Sequence, residues 1–220
     1  MTSLDTTPRS GADTFTRYAM IAAAVISPLA IAASILLAPG NVTAEGEAYV
    51  RQFVADAGSY PLLAWLSAIS SLTIIPAAFG VARVARAGRP VLGLVAMILA
   101  FVLIVPIGGN SDDVLYAGIV AGLDQGTLTK LYAAYNEGLP TSVLGMSFLF
   151  GLLGFLLLGV AALLGRTAPV WAAIALVVAP VAIPISWFAG LGNVAAGVAW
   201  LLMTAGMGGV ALGLLNQRGT

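Results

Sequence analysis

The chain is divided by the stretch Val105–Thr141, which reads VPIGGNSDDVLYAGIVAGLDQGTLTKLYAAYNEGLPT. It is the longest interruption between apolar runs, and it contains four of the nine acidic residues. Three apolar runs precede it and three follow it, each with about the 17–25 residues that cross a hydrocarbon core. The stretch therefore separates two groups of three predicted spans, and it is the first place where a ligand site is expected.

The six runs predict an all-α integral membrane protein, a bundle of six transmembrane helices in one domain over residues 17–216. The chain is 60% hydrophobic and 8% charged, whereas about a quarter of the residues of a soluble domain are charged. A water-soluble fold cannot bury that much apolar surface, so the expected solvent is the lipid bilayer. The predicted spans are about 18–38, 62–84, 90–107, 142–164, 169–188 and 193–215.

The N-terminal residues 1–16, MTSLDTTPRSGADTFT, are small, polar and interrupted by Pro and Gly. This composition predicts a disordered cytoplasmic tail. The first apolar run could also be the core of a cleaved signal peptide, with Arg9 and Arg17 as its basic region. Its 21 residues exceed the roughly 7–15 residues of a signal core, so a retained helix is expected.

The basic residues predict the orientation of the chain. In a six-span arrangement, seven of the nine Arg and Lys residues fall on the side of both termini. Because cytoplasmic loops carry the excess of basic residues, both termini are expected inside, in a bacterial cytoplasmic membrane. The seven are Arg9, Arg17, Arg83, Arg86, Arg89, Arg166 and Arg218, and the two on the other side are Arg51 and Lys130.

Segments between the spans show helical amphipathic patterns and are predicted to lie at the outer, extracytoplasmic face. Residues 41–61 contain one such pattern, and residues 127–135 another. The apolar run 114–123 is too short to span, so it lies on the surface or re-enters between helices. Residues 114–123 and 127–135 together could cover a cavity as a lid, or lie flat on the bundle as a connector. The apolar positions are Val50, Phe53, Val54 and Ala57, then Leu128, Leu131, Tyr132 and Tyr135.

Asp112 and Asp113 allow two interpretations. An aspartate pair can bind Mg²⁺ and through it a pyrophosphate, as in membrane enzymes that transfer prenyl groups. Such a site needs further acids, for which Asp124 and Glu137 are the nearby candidates. Alternatively, Ser111 caps a helix whose first turn contains the two aspartates, where the helix dipole favours negative charge. The second interpretation is the more common use of such a pair.

The chain contains no cysteine and no histidine. This excludes disulfides, thiolate nucleophiles, Cys or His metal ligands and a histidine general base. Haem held by His or Cys is excluded too, and no cofactor is expected. The predicted spans have no charged residue away from their ends. Ion-coupled carriers usually keep an intramembrane carboxylate or base, so coupled transport is disfavoured.

Small and polar residues inside the spans have two explanations each. Some could line a polar cavity, although helix-packing contacts explain them equally well. A stripe of small residues near the C-terminus could pack helices within one chain or join protomers in a homo-oligomer. The cavity candidates are Ser67, Ser70, Ser71, Asn110 and Asn193, and the stripe is Ala205, Gly209 and Gly213.

Two segments, PAAFGVARVARAGRPVLG (76–93) and LLLGVAALLGRTAPVWA (156–172), resemble small six-helix membrane proteins of actinobacteria whose function is unknown. In these proteins a span ends in a Leu-Gly stretch, a basic turn follows, and Pro-x-Trp opens the next helix. The resemblance covers most of residues 42–215 and implies a bacterial inner-membrane protein. It implies no catalytic residue.

Two classes of function follow. The favoured one is a non-enzymatic membrane protein that binds or passes a small apolar molecule or lipid, or that acts as a scaffold for a partner. The alternative is a membrane enzyme that acts on a lipid or prenyl diphosphate through Asp112 and Asp113. A nucleic-acid partner is not expected.

Overall fold

The computed structural model describes residues 11–38, 40–104 and 111–217, and the side chains of 139–146 are outside this description. Of the sequence predictions, those on the tail residues 1–10 with Arg9, on the cavity candidate Asn110 and on Arg218 concern residues that lie outside the described ranges. Within the described ranges the chain is helical and has no strand.

Nine α-helices and three short 3₁₀ turns follow one another in the described part of the chain. The turns are Ala57–Ser59, Val102–Ile104 and Leu212–Leu215. The helices are α1 (Gly11–Leu36), α2 (Gly46–Ala55), α3 (Tyr60–Gly88), α4 (Pro90–Phe101), α5 (Ser111–Val120), α6 (Gln125–Glu137), α7 (Leu139–Gly165), α8 (Val170–Phe188) and α9 (Gly192–Ala211).

Six of these described helices form a closed ring. In order around it, α1 packs on α3, α3 on α4, α4 on α7, α7 on α8, α8 on α9, and α9 on α1. Consecutive helices of the ring are antiparallel. The centre is filled by large side chains such as Phe155, Leu176, Trp200 and Met203, with many alanines between them.

Five of the described helical segments are long and apolar enough to cross a membrane, so the protein is a multi-pass helical membrane protein. The remaining predicted span, 90–107, is described only as the 12-residue α4 and the turn that follows it. The five segments are Gly11–Leu36, Ala57–Gly88, Ser147–Gly165, Val170–Phe188 and Gly192–Leu215.

One end of the ring, here called the basic end, contains the turns α3–α4 and α7–α8 with their arginines. The two turns touch through Gly88 and Gly165: a Cβ built on Gly88 would lie 2.5 Å from Gly165 Cα. Arg17 at the start of α1 reaches the same end and donates hydrogen bonds to the carbonyl oxygens of Leu214 and Gln217. Gln217 in turn donates to the Arg83 carbonyl oxygen. These contacts join α1, α3 and the end of α9.

The prediction of a tail through Thr16 differs from the structure, in which α1 begins at Gly11. The added turn is stabilised by an ion pair between Arg17 and Asp13, one turn apart, at 3.0 Å. Because Arg17 is buried against the end of α9, the residues around it stay helical. The polar composition of residues 11–16 gives no indication of the contact between Arg17 and the end of α9.

The opposite end of the ring carries a cap, which consists of α2, α5 and α6. Its own small core joins Val50 and Phe53 of α2 to Leu115 of α5 and Leu128 of α6, and this core rests on Tyr60 at the start of α3. The amphipathic pattern predicted around Val50 and Phe53 is thus confirmed, since both residues are buried. The main packing partner of α5 is α6, so α5 belongs to the cap.

The small-residue stripe packs inside the chain at two of its three positions. A Cβ on Gly209 would meet Ala172 and Trp171, and a Cβ on Gly213 would meet the Thr167 carbonyl oxygen. Both glycines are buried, whereas Ala205 is exposed. Packing within one chain is one of the two predicted uses of the stripe, and self-association stays a prediction.

Candidate functional site

A cavity of about 710 Å³ lies between the cap and the end of the ring that is next to it. Its wall is formed by α1, α3, α7, α8 and α9 of the ring and by all three helices of the cap, with one residue from the turn after α4. Most lining residues are aliphatic or aromatic. The polar residues among them are Ser34, Tyr49, Tyr60, Ser67, Ser70, Ser71, Ser111, Asp112, Asp113 and Tyr132.

The cap brings two carboxylates and two tyrosine hydroxyls together at this cavity. Asp112 and Asp113 occupy the first turn of α5, as predicted. The hydroxyl of Tyr49 on α2 donates a hydrogen bond of 2.7 Å to Asp112 Oδ1. The hydroxyl of Tyr60, at the start of α3, donates to Asp113 Oδ1. The two aspartates are therefore first-turn residues of α5 and also part of the cavity wall.

Aromatic rings surround this carboxylate pair. The centroids of the Tyr49 and Tyr132 rings are 5.4 Å apart, and those of Phe53 and Tyr60 are 5.5 Å apart. Burial, and then the negative charge of Asp112, raise the pKa of Tyr49. The same two causes, in the same order, raise the pKa of Tyr132. Both phenols are thus neutral at physiological pH and keep their hydrogens.

The cavity extends from the carboxylate pair along α3 into the ring. Tyr60 and Ile74 both line it, and at 1.5 Å per helical residue they are about 21 Å apart along the axis. Ser67 and Ser71 line this path and are exposed residues. Ser70 is buried, and its hydroxyl lies 3.2 Å from the hydroxyl of Ser27 on α1. Ser70 thus also serves the helix packing that the sequence suggested as its alternative role.

The inner wall of the cavity is aromatic. Phe148 of α7 stacks on Trp187 of α8, with ring centroids 5.8 Å apart and planes inclined by 8°. Trp200 of α9 packs against the same Phe148 ring at 6.4 Å and is only 2% exposed. Its indole Nε1–H has no hydrogen-bond partner among the described residues. A buried donor without a partner is costly.

Three residues that the sequence proposed for a site lie elsewhere. Asp124 accepts hydrogen bonds from the amide and hydroxyl of Thr127 and caps α6; the hydroxyl bond, then the amide bond, lower its pKa. Glu137 is exposed near the end of α6 and does not line the cavity. Asn193 accepts from the Val42 amide and donates to the Gly40 carbonyl oxygen, so its amide holds the α1–α2 connection.

The carboxylate pair offers a metal ion few ligands. In the described ranges there is no group of three or more Asp or Glu side chains placed to hold a metal. Asp124, one of the expected additional acids, is engaged as a helix cap, and Glu137 does not line the cavity. An octahedral Mg²⁺ site bound through a single aspartate pair would depend on water and substrate oxygens for its other ligands.

Sequence reasoning missed the aromatic part of the site. No tyrosine was predicted to contribute to a site, and Phe148 and Trp200 do not differ in sequence from other apolar residues of a span. The clustering of five of the six tyrosines and seven of the nine acids on one side of the predicted topology was the available signal.

Comparison with known proteins leaves the cavity as the basis for assigning a function. No family model matches the chain, and neither a curated protein nor a solved structure matches it.

Proposed function

We propose that the protein binds a lipid-sized, largely apolar molecule in the cavity between the cap and the ring. The observation that carries this proposal is the cavity itself: about 710 Å³, with a wall in which aliphatic and aromatic residues adjoin a group of aspartates, tyrosines and serines. Ligand sites in proteins usually occupy roughly 300–1,000 Å³ and combine such a wall with a few fixed polar groups. Here those groups are the aspartates and tyrosines of the cap.

The proposal includes an orientation and a location. Six spans, both termini in the cytoplasm and a bacterial inner membrane place the basic end inside and the cap outside. The seven-to-two division of Arg and Lys supports this orientation, and the resemblance to actinobacterial six-helix proteins supports the location. The cavity would then receive its molecule from the outer leaflet or the extracytoplasmic side.

Single cysteines test the orientation, since the natural chain has none. Ala87, beside the basic turn, and Ala134, in the cap, are both exposed, so Ala87→Cys and Ala134→Cys are matched changes. In intact cells a membrane-impermeant maleimide should label only the cysteine at 134. After the membrane is opened, both should react. Labelling of the cysteine at 87 in intact cells would reverse the proposed orientation.

Filling the cavity tests the binding of an apolar molecule. Ser71→Phe places a ring in the cavity, whereas Leu72→Phe adds one to the neighbouring residue, which is 77% exposed and does not line the cavity. Protein purified in a maltoside detergent should retain a lipid or other apolar molecule, detected by native mass spectrometry. Retention should persist in Leu72→Phe and disappear in Ser71→Phe. Equal retention, or none in any of the three proteins, would count against the proposal.

A membrane enzyme acting on a lipid or prenyl diphosphate is the second candidate. The observation in its favour is that Asp112 and Asp113 both line the cavity. Activity of this kind would require a divalent metal at the pair. Stabilisation of the protein by Mg²⁺ therefore separates the two candidates.

A further inference from the structure

We infer that the molecule held in the cavity is an amphipathic organic cation, with an ammonium group at Asp112 and Asp113 and an apolar part that carries a hydrogen-bond acceptor. This inference rests on the proposed function and specifies the class of ligand. It follows from the charge of the wall, the aromatic rings near the carboxylates, and the indole of Trp200.

The first argument is charge. Asp112 and Asp113 are the only formally charged residues that the described part of the chain contributes to the wall. In the sequence, the segments 105–110 and 139–146, whose side chains are outside the described part of the chain, contain no charged residue. A wall with two negative charges beside apolar surface attracts a cation and repels an anion, more strongly than in water because the local dielectric constant is lower. A diphosphate or fatty-acid headgroup is therefore disfavoured at this end.

The second argument concerns the tyrosines, which separate an organic cation from a metal ion. Tyr49 and Tyr60 each donate to one aspartate, and these hydrogen bonds fix the position of the carboxylate oxygens. Tyr49, Tyr60 and Tyr132 are also lining residues of the cavity. Aromatic faces attract ammonium groups through their quadrupole and suit bulky, weakly hydrated cations. A small divalent ion would instead need several more oxygen ligands than this wall supplies.

The third argument is independent of the acids. Trp200 lines the cavity and is only 2% exposed. Its indole N–H has no hydrogen-bond partner among the described residues. It lies about 12 Å from the start of α9, at 1.5 Å per residue. Nε1 has almost no accessible surface, so a ligand oxygen would accept its hydrogen bond after a small shift of the indole ring, and this bond would remove the cost of the unsatisfied donor. The ligand is thus expected to carry a hydroxyl, ether or ester oxygen within its apolar part.

Three ten-carbon probes with different headgroups test the charge. Decyltrimethylammonium, decanol and decyl sulfate are titrated into the protein in neutral maltoside micelles, with binding followed by calorimetry and thermal stability. The cation should bind about tenfold more tightly than decanol, and the sulfate more weakly than decanol, because of the two carboxylates and the aromatic rings. The double variant Asp112→Asn and Asp113→Asn should lose this preference and still bind decanol.

Matched variants show whether the preference arises at the cavity. Glu137→Gln removes one negative charge from the same cap at an exposed position outside the cavity wall, and the preference should stay. Tyr132→Leu should reduce it by removing a ring. A ω-hydroxylated form of decyltrimethylammonium should bind more tightly than the parent compound, and Trp200→Phe should abolish that gain. If the wild type binds the hydroxylated probe no more tightly than the parent compound, the inference of a hydrogen-bond acceptor in the apolar part of the ligand is wrong.

The possible outcomes distinguish this inference from the proposed function. If the three probes bind equally, and Ser71→Phe blocks all of them, the cavity binds apolar molecules but the inferred cation is wrong. If no probe binds, or Ser71→Phe changes nothing, the proposed function fails. If Mg²⁺ alone raises the melting temperature by several degrees, and the double aspartate variant does not respond, the pair is a metal site and the inference is overturned in favour of the enzyme.

Discussion

Replacing Gly154 by alanine should destabilise the protein by about 3 kcal/mol, the upper part of the range for overpacked interiors. A Cβ at this position would lie 2.1 Å from the amide nitrogen of Ala100 and 2.6 Å from its Cα. These are backbone atoms of α4, so no side-chain rotation relieves the clash and α4 must move away from α7. Gly151 shows the same contact one turn earlier, with Leu103 N at 2.6 Å.

Gly58→Ala is the control, because a Cβ there meets nothing within 4 Å and should change the stability by less than about 0.5 kcal/mol. Both variants would be unfolded by increasing mole fractions of dodecyl sulfate in mixed micelles, with tryptophan fluorescence as the signal. Similar midpoints for Gly154→Ala and Gly58→Ala would mean that α4 and α7 are not in backbone contact. Gly151→Ala should resemble Gly154→Ala, since it lies in the same interface.

The membrane helices were predictable because lipid imposes a simple constraint on composition and length. The predicted spans 62–84 and 169–188 correspond to α3 and α8 within a few residues. The cap helix α2 was also predictable, since Val50 and Phe53 repeat at helical spacing and both are buried. These signals are local, and each can be read without knowledge of the neighbouring helices.

The cavity could be predicted only in part, because its wall is defined by how the helices pack. Asp112 and Asp113 stood out as charges in an apolar chain, and the serines of α3 as polar residues in a span. Phe148 and Trp200 carried no such signal, since an aromatic residue has the same sequence appearance in a packed core and beside a cavity. Asn193 does not line this cavity: its amide binds backbone groups of residues 40 and 42, contacts that no sequence pattern indicates.

Arg17 is the residue whose role changes most between sequence and structure. The sequence counts it among the cytoplasmic charges that orient the chain. In the structure its side chain is 2% exposed, and Nε donates to Asp13 at 3.0 Å. Its Nη1 donates to the carbonyl oxygens of Leu214 and Gln217, at 2.6 and 2.5 Å. Since the last carbonyl groups of a helix have no partner within it, Arg17 supplies both hydrogen bonds and favourable positive charge there.

Arg17→Met should therefore lower the unfolding free energy by about 3 kcal/mol, because two carbonyl oxygens at the end of α9 lose a charged donor. The change leaves Asp13 without its ion-pair partner and two carbonyl groups without this donor. Arg89→Met is the matched control, because it removes an exposed arginine from the same end of the ring; it should lower membrane insertion equally but leave stability unchanged. Arg17→Lys should fall between the two, since an ammonium keeps the charge without the planar fork of donors. Midpoints of dodecyl sulfate unfolding measure all three, and equal values for Arg17→Met and Arg89→Met would restrict Arg17 to orientation.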